Sequence, residues 1–393
     1  MLDIPALRCQ FPALSPDSDG SNRVYLDNAA TTFAPRSVIA AISDYCECGH
    51  SPATAAAIYA DARVRVAHAV GAADPGGVVF CAGATHAIHL VATAWGDANI
   101  AEGDEIIVSS AEHVANLACW QALAHRRGAR LRLIPVNADA SFPLDTLRQT
   151  LTPRTKLVAV THVSNVSGTI FPVREIVSAA HAGGARVLID GAQAVAHMPV
   201  EFDRIGADFY AFSGHKAFAP TGIGVLLGKS ECLDALQPVL LGANAFDAFT
   251  LDNATLAAVP RRFEGGSAHI AGAAAIAEAL EFAERLGWHN IAEHERDLCA
   301  TLDAGLARIG GVSVVGSNRT PVGIRAFVVD GLDSFEIQRR LQDRSIDIRV
   351  GHLSAQTLLR QFGVEHALRA SVAVYNDADD IDRFIAELAA SVR

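Results

Sequence analysis

Asp208-Phe209-Tyr210-Ala211-Phe212-Ser213-Gly214-His215-Lys216 decides the fold of this chain. The apolar run Phe209–Phe212 reads as a buried strand, and Ser213-Gly214-His215 breaks it. Lys216 therefore stands just past a strand end, beside the polar side chains of Ser213 and His215. Upstream, Arg186-Val187-Leu188-Ile189-Asp190-Gly191-Ala192-Gln193 carries a second signal of the same kind, a β-branched and apolar run that ends in an acid and a glycine, with Asp190 eighteen residues before Asp208.

A lysine and an acid at neighbouring strand ends suit pyridoxal 5'-phosphate. That cofactor needs a lysine amine for its Schiff base and a carboxylate to keep its ring nitrogen protonated. It also needs small donors around its phosphate, and Ser213 and His215 flank the lysine. Each residue alone reads more simply, Lys216 as a solvated lysine and Asp190 as a turn former. The two stretches together favour the cofactor.

Outward from there, strands and helices alternate. Val24-Tyr25-Leu26-Asp27-Asn28-Ala29-Ala30 is a strand running into small polar residues, and residues 35–49 and 53–71 are helical in pattern. Val78-Val79-Phe80-Cys81-Ala82-Gly83-Ala84-Thr85 is a strand, a glycine turn and a helix start, where backbone N–H groups make an anion site. Strands follow at 105–109, 131–134 and 157–162, with helices over 112–127 and 173–183. Such alternation predicts an α/β fold with a mostly parallel sheet flanked by helices. Ligands in such sheets sit beyond the carboxyl ends of the strands. Residues 222–228 read as a return strand, 232–262 as irregular, and 268–286 as a long helix stopped by Gly287. Beyond it come a helix over 291–309, strands near 312–316 and 323–329, a helix over 333–343, a strand over 346–350 and a helix over 377–392. This is a smaller α+β C-terminal domain. The expected division is a large cofactor domain over 21–287 and a small domain built from 1–20 and 288–393. The first twenty residues read as a short helix, with Leu7, Phe11 and Leu14 on one face, broken by Pro16-Asp17-Ser18-Asp19-Gly20.

The 393 residues are half apolar and carry a net charge of −11, with no basic run, so nucleic acid is not an expected partner. No apolar run reaches membrane-spanning length, and Met1-Leu2-Asp3-Ile4-Pro5 does not read as a signal peptide, so no membrane is expected. Seven scattered cysteines fit a reducing cytoplasm. Cys46, Cys48 and His50 lack a second ligand pair at zinc-like spacing, so no metal is expected.

The residues resemble the class V aminotransferase family of fold-type I pyridoxal-phosphate enzymes, and within it the group II cysteine desulfurases and selenocysteine lyases. Further motifs that carry the resemblance are Glu112-His113, Ser164-Asn165-Val166-Ser167-Gly168-Thr169, Phe263-Glu264-Gly265-Gly266-Ser267 and Leu368-Arg369-Ala370-Ser371. It implies that Lys216 holds the cofactor and moves the Cα proton, that Asp190 pairs with the ring nitrogen, and that His113 stacks on the ring. Gln193 and Asn165 would hold the ring hydroxyl or the substrate carboxylate side. Ala84, Thr85, Ser213 and His215 would bind the phosphate, with Ser267 reaching the phosphate of a partner subunit in a homodimer. Arg369 would take the α-carboxylate of a small amino-acid substrate, with Asn28 and Arg349 beside it.

The pattern departs at Arg349-Val350-Gly351-His352-Leu353-Ser354-Ala355-Gln356. The family reads Gly-His-His-Cys-Ala-Gln there, and its cysteine accepts sulfur as a persulfide. Here Ser354 takes the cysteine position and Leu353 that of the second histidine. A serine hydroxyl neither stores sulfane sulfur nor ionises at pH 7. Val114 stands for another histidine, and Gly49-His50-Ser51-Pro52 lacks an arginine. The implied function is a cysteine-desulfurase-like enzyme cleaving Cβ–S or Cβ–Se without a loop persulfide, with Ser354 a candidate catalytic residue. Transamination or epimerisation remains an alternative, and a non-catalytic cofactor-fold scaffold another.

Overall fold

The computed structural model describes residues 2–15, 23–316 and 322–392. The expected break over residues 16–20 lies outside them. A seven-stranded sheet has the spatial order Val78–Cys81, Gly224–Gly228, Phe209–Ser213, Arg186–Asp190, Thr155–Thr161, Glu105–Ser109, Arg130–Ile134. All pairs are parallel except the two made by Gly224–Gly228, the return strand. Side chains alternate between two cores as the pleat requires. Val158, Val160, Val187 and Ile189 face one core, while Leu157, Ala159, Leu188 and Ala211 face the other. Helices cover both faces, among them Pro52–Ala69 and Ile270–Leu286 on one and Ala115–Arg127 on the other.

Two glycines are required by close approach. A Cβ on Gly191 would fall 2.0 Å from the Tyr210 ring, and one on Gly224 would fall 2.5 Å from Gly83 Cα. Gly191 follows the carboxyl end of Arg186–Asp190 and Gly224 opens the antiparallel strand beside Ser213, so at these two points the backbone packs too closely for a side chain.

A four-stranded antiparallel sheet has the order Val312–Val314, Ile324–Val329, Ala367–Ser371, Arg349–Gly351. Helices Trp288–Leu306, Ser334–Gln342 and Ala378–Ser391 pack on it around Phe327, Leu302 and Phe384. The last helix opens with a capping box made by Asp377 and Asp380. Residues 2–15 touch both units: Phe11 packs on Phe218, Phe282 and Tyr375, and Arg8 pairs with Asp380 at 2.9 Å.

Several elements differ from expectation. The helix expected from residue 112 begins at Ala115, because Glu112 turns its carboxylate into the core and His113 turns into the first turn. The single strand expected over 346–350 serves two sheets, with Ile346–Asp347 parallel to Val24–Tyr25 and Arg349–Gly351 in the four-stranded sheet. The irregular region holds a short helix, Ser230–Asp234, and a hairpin, Phe246–Phe249 with Ala254–Leu256. Helices Leu144–Thr150 and Gln356–Gln361 and strand Ala367–Ser371 were not expected.

Candidate active site

The carboxyl ends of the parallel strands form the floor of a cavity of about 530 Å³. Lys216 closes a one-turn 3-10 helix, Gly214–Lys216, directly after the Phe209–Ser213 strand. The His215 carbonyl holds this turn by accepting from Thr32 N–H at 2.8 Å and from the Thr31 hydroxyl at 3.1 Å. Burial lowers the Lys216 pKa, Asp190 opposes that, and Arg369 reinforces it. Asp190 ends the next strand and accepts from Ala192 N–H at 3.0 Å. Burial raises its pKa, against that hydrogen bond and the Lys216 charge.

Beside them starts the helix Ala84–Val91. Its own hydrogen bonding begins at Ala87 N–H, which donates to Gly83 O at 3.0 Å, so earlier N–H groups point out of the helix start. Ala84 N–H donates to Ser213 Oγ at 2.8 Å, and Thr85 and His215 line the same corner.

His113 roofs the other side. Its Nδ1 accepts Ala115 N–H at 3.1 Å, which leaves the ring proton on Nε2. Burial, Lys216 and Arg369 together push its pKa down to about 4, so the ring is neutral at pH 7. The loop after Arg349–Gly351 covers the cavity. Asn165 Nδ2 donates to Leu353 O at 2.8 Å, and Val114 N–H donates to Ser354 O at 2.7 Å. Leu353 and Ser354 both have left-handed backbone, with φ of 51° and 52°. Ser354 N–H donates to His352 Nδ1 at 3.0 Å.

Arg349 and Arg369 stand directly opposite each other across two strands. Like charges so placed repel. Asp27 lies against both: Oδ1 is 3.0 Å from Arg369 and Oδ2 is 2.7 Å from Arg349. One carboxylate for two guanidiniums leaves one positive charge over. Arg369 is fully buried, donates to Asn165 O at 3.1 Å, and keeps its Nε without a partner.

The cavity thus gathers Ala84, Thr85, His113, Asn165, Asp190, Ser213, His215, Lys216, Arg349, Ser354 and Arg369. Three expected residues do not line it. Gln193 donates its amide to Ala29 O at 2.7 Å. Asn28 is buried, donates to Ser371 O at 2.7 Å and accepts from the Tyr375 hydroxyl. Ser267 is exposed elsewhere on the chain. Sequence reasoning missed Asp27 as a partner of both arginines, and Phe335, His352 and His366 as lining. Asp27 and His352 lay inside quoted motifs; Phe335 and His366 carried no local signal. Among the described residues, no three of His, Cys, Asp and Glu form a metal-binding group.

The residues present fit pyridoxal phosphate. A lysine with a lowered pKa and a buried carboxylate share the floor, and a helix start with outward N–H groups stands beside Ser213 and His215, as a phosphate requires. The unpartnered Nε of Arg369 and the surplus charge suit a carboxylate beside that cofactor.

Comparisons with known proteins agree. The chain is 40% identical over 400 residues to a cysteine desulfurase of Synechococcus elongatus, covering 100% of this chain and 63% of that protein. It is 38% identical to a probable cysteine desulfurase of Vibrio cholerae, covering 99% and 98%. It thus spans only about three-fifths of the length of the Synechococcus relative. Among solved structures, the cysteine desulfurase CsdA (S-sulfonic acid) of Escherichia coli matches with a TM-score of 0.93 and 33% identity, covering 100% and 99%. A cystine C–S lyase, C-DES, in complex with its reaction product cysteine persulfide, matches with a TM-score of 0.83 and 25% identity, covering 97% and 99%. The aminotransferase class-V model matches residues 24–384. With that match over a strand-end cavity built for pyridoxal phosphate, the chain belongs to the aminotransferase class-V family.

Proposed function

We propose that this chain is a pyridoxal-phosphate lyase of the cysteine-desulfurase type, cleaving the Cβ–S or Cβ–Se bond of a small α-amino acid without storing sulfur on its own loop. The observation that carries this is Ser354, half-buried at the cavity where the family's sulfur-accepting cysteine is expected. Among the described residues no cysteine lines the cavity. Cys81 and Cys119 are buried, and burial pushes each thiol up to about 12, so neither is a thiolate at pH 7. A cystine C–S lyase found with cysteine persulfide as its product supports a leaving group that departs as a small molecule.

Each residue then has a role. Ala84, Thr85, Ser213 and His215 take the phosphate, with Ser267 supplied by a second copy. Asp190 pairs with the ring nitrogen and His113 covers the ring face, while Gln193 braces the Ala29 carbonyl behind the lining. Bound there, pyridoxal phosphate supplies the electron sink. Arg369 takes the substrate carboxylate, with Asn165 and Arg349 around it, while Asn28 stays behind them in the core. Lys216, whose pKa burial lowers, moves the Cα proton. His113 and the closed loop exclude water. The expected division into a cofactor domain over 21–287 and a small domain from 1–20 and 288–393 belongs to this reading.

A homodimer is part of the reading. The hairpin region exposes Leu241, Phe249 and Leu251, the last almost wholly, and an apolar surface of that kind suits a second copy. No helix of the described residues is long and apolar enough to cross a membrane, and seven free cysteines suit a reducing cytoplasm.

The test is an amino-acid panel with the purified protein, following pyruvate, alanine, keto-acid formation and chiral inversion. Free sulfide, selenide or sulfite, with no sulfur added to the protein by mass spectrometry, is the expected result. One sulfur gained on any cysteine during turnover would sink the reading. Keto acid or inversion without Cβ cleavage would make the enzyme a transaminase or an epimerase.

A further inference from the structure

None of these roles uses Glu112, a fully buried acid one residue before His113. We propose that Glu112 is the positioning residue of His113: it fastens the imidazole to the strand ends that carry the cavity floor. Its Oε1 accepts the Ser109 hydroxyl and, at 3.0 Å, Thr161 N–H. Its Oε2 accepts Asn116 Nδ2 at 2.7 Å. Asn116 Oδ1 in turn accepts the Trp120 indole N–H at 2.9 Å.

Residues 112, 116 and 120 are four apart, so they form one line down the buried side of the helix start. His113 sits inside that line. Asn116 N–H donates to its carbonyl at 2.8 Å, and Ala115 N–H donates to its Nδ1. The other end of the line is anchored at the floor. Ser109 and Thr161 each close a parallel strand, and Thr161 stands in register with Asp190. A single carboxylate therefore fixes the height of the His113 ring above the strand end that carries Asp190. Three buried donors converge on it, and removing their acceptor leaves them unsatisfied. The Glu112 carboxyl lies outside the cavity lining; its hydrogen bonds lead to His113 through Asn116 and to the Asp190 strand end through Thr161.

The inference rests on the cavity being a pyridoxal-phosphate site, and a double-mutant cycle in the holoenzyme separates the two. Glu112→Gln keeps the shape and turns a donor toward Asn116; Asn116→Ala cuts the line one step away and guards against misfolding of the first variant. Each is made with His113 and with His113→Ala. The readouts are the visible circular dichroism band of bound pyridoxal phosphate, which needs no substrate, and kcat. With His113 present, either change should diminish the band and lower kcat roughly tenfold. In the His113→Ala background the same changes should alter kcat less than about twofold and leave the band alone, the non-additivity of residues that act as a unit. Equal losses in both backgrounds, or a fall in melting temperature with band and kcat intact, would reduce Glu112 to a core residue and overturn the inference. If the unmodified protein binds no pyridoxal phosphate, the site reading fails first and this inference with it.

Discussion

At the floor of the cavity each anchoring atom belongs to a strand end or to the turn after it, as with Asp190, Ser213 and Lys216. On the loop over residues 349–356 the position is held instead by two carbonyls, Leu353 O and Ser354 O, taken by Asn165 and Val114. The floor depends on which side chains stand there. The loop depends on its backbone, with two successive left-handed residues, Leu353 and Ser354, setting its path. This is a physical reason why the side chain at residue 354 can vary while the floor stays as it is.

The floor carries the largest expected effect. Lys216→Ala should lower turnover by roughly 10⁴-fold or more. Borohydride reduction of the unmodified protein should attach the cofactor at Lys216, as read by peptide mass spectrometry; attachment at another lysine would show that the floor is misassigned. The second effect is on stability. His162 is buried against the Tyr210 hydroxyl at 2.9 Å, and burial pushes its pKa from 6.5 down to about 4. Between those values the unfolded chain binds a proton that the native chain refuses. Stability is therefore full above pH 6.5 and falls as pH drops toward 4, by about 3 kcal/mol from this group. Denaturant midpoints at pH 7 and pH 4.5 in the wild type and in His162→Phe would measure it, and an equal slope in both would remove His162 as the cause.

Third comes the arginine pair at the seam between floor and loop. Arg369→Lys removes the forked geometry and should raise KM roughly 10- to 100-fold, about 1.4–2.8 kcal/mol, with kcat changed less. A change in kcat alone would take Arg369 out of carboxylate binding. The smallest effects belong to the loop. Asn165→Ala should cost about 1 kcal/mol through the lost bond to Leu353 O. Ser354→Val, β-branched at a positive φ, should cost about 1–2 kcal/mol, whereas Ser354→Gly should be neutral within about 1 kcal/mol. If glycine costs as much as valine, the backbone is not what sets the loop.

Most of the floor was legible in the sequence because strand-end chemistry is local. The apolar runs before Asp190 and Ser213 name their own strands, and the polar residues follow within a few positions. The arginine pair was legible only in part. Arg369 lay in a quoted motif, but the strand that carries it was not expected, and its register with Arg349 depends on pairing across the small sheet. Asp27 lies 342 residues from Arg369, a distance over which no pattern of spacing speaks. The hairpin at 246–256 was read as irregular because its side chains are largely exposed and show no buried alternation. Residues 112–114 failed the helical expectation for another reason. Their apolar and polar order is helical, yet the demands of a buried carboxylate outweigh propensity there.

The hydrogen bond from Ala84 N–H to Ser213 Oγ joins residues 129 apart in the chain, across a sheet whose Gly224–Gly228 strand must first slot between Val78–Cys81 and Phe209–Ser213. Loop closure on that scale is slow and comes late in folding. A nascent chain that has not yet delivered residue 228 lacks the finished sheet around that contact. A cofactor seated at that corner would meet a finished sheet, so starving cells of the cofactor should yield folded apoprotein rather than aggregate.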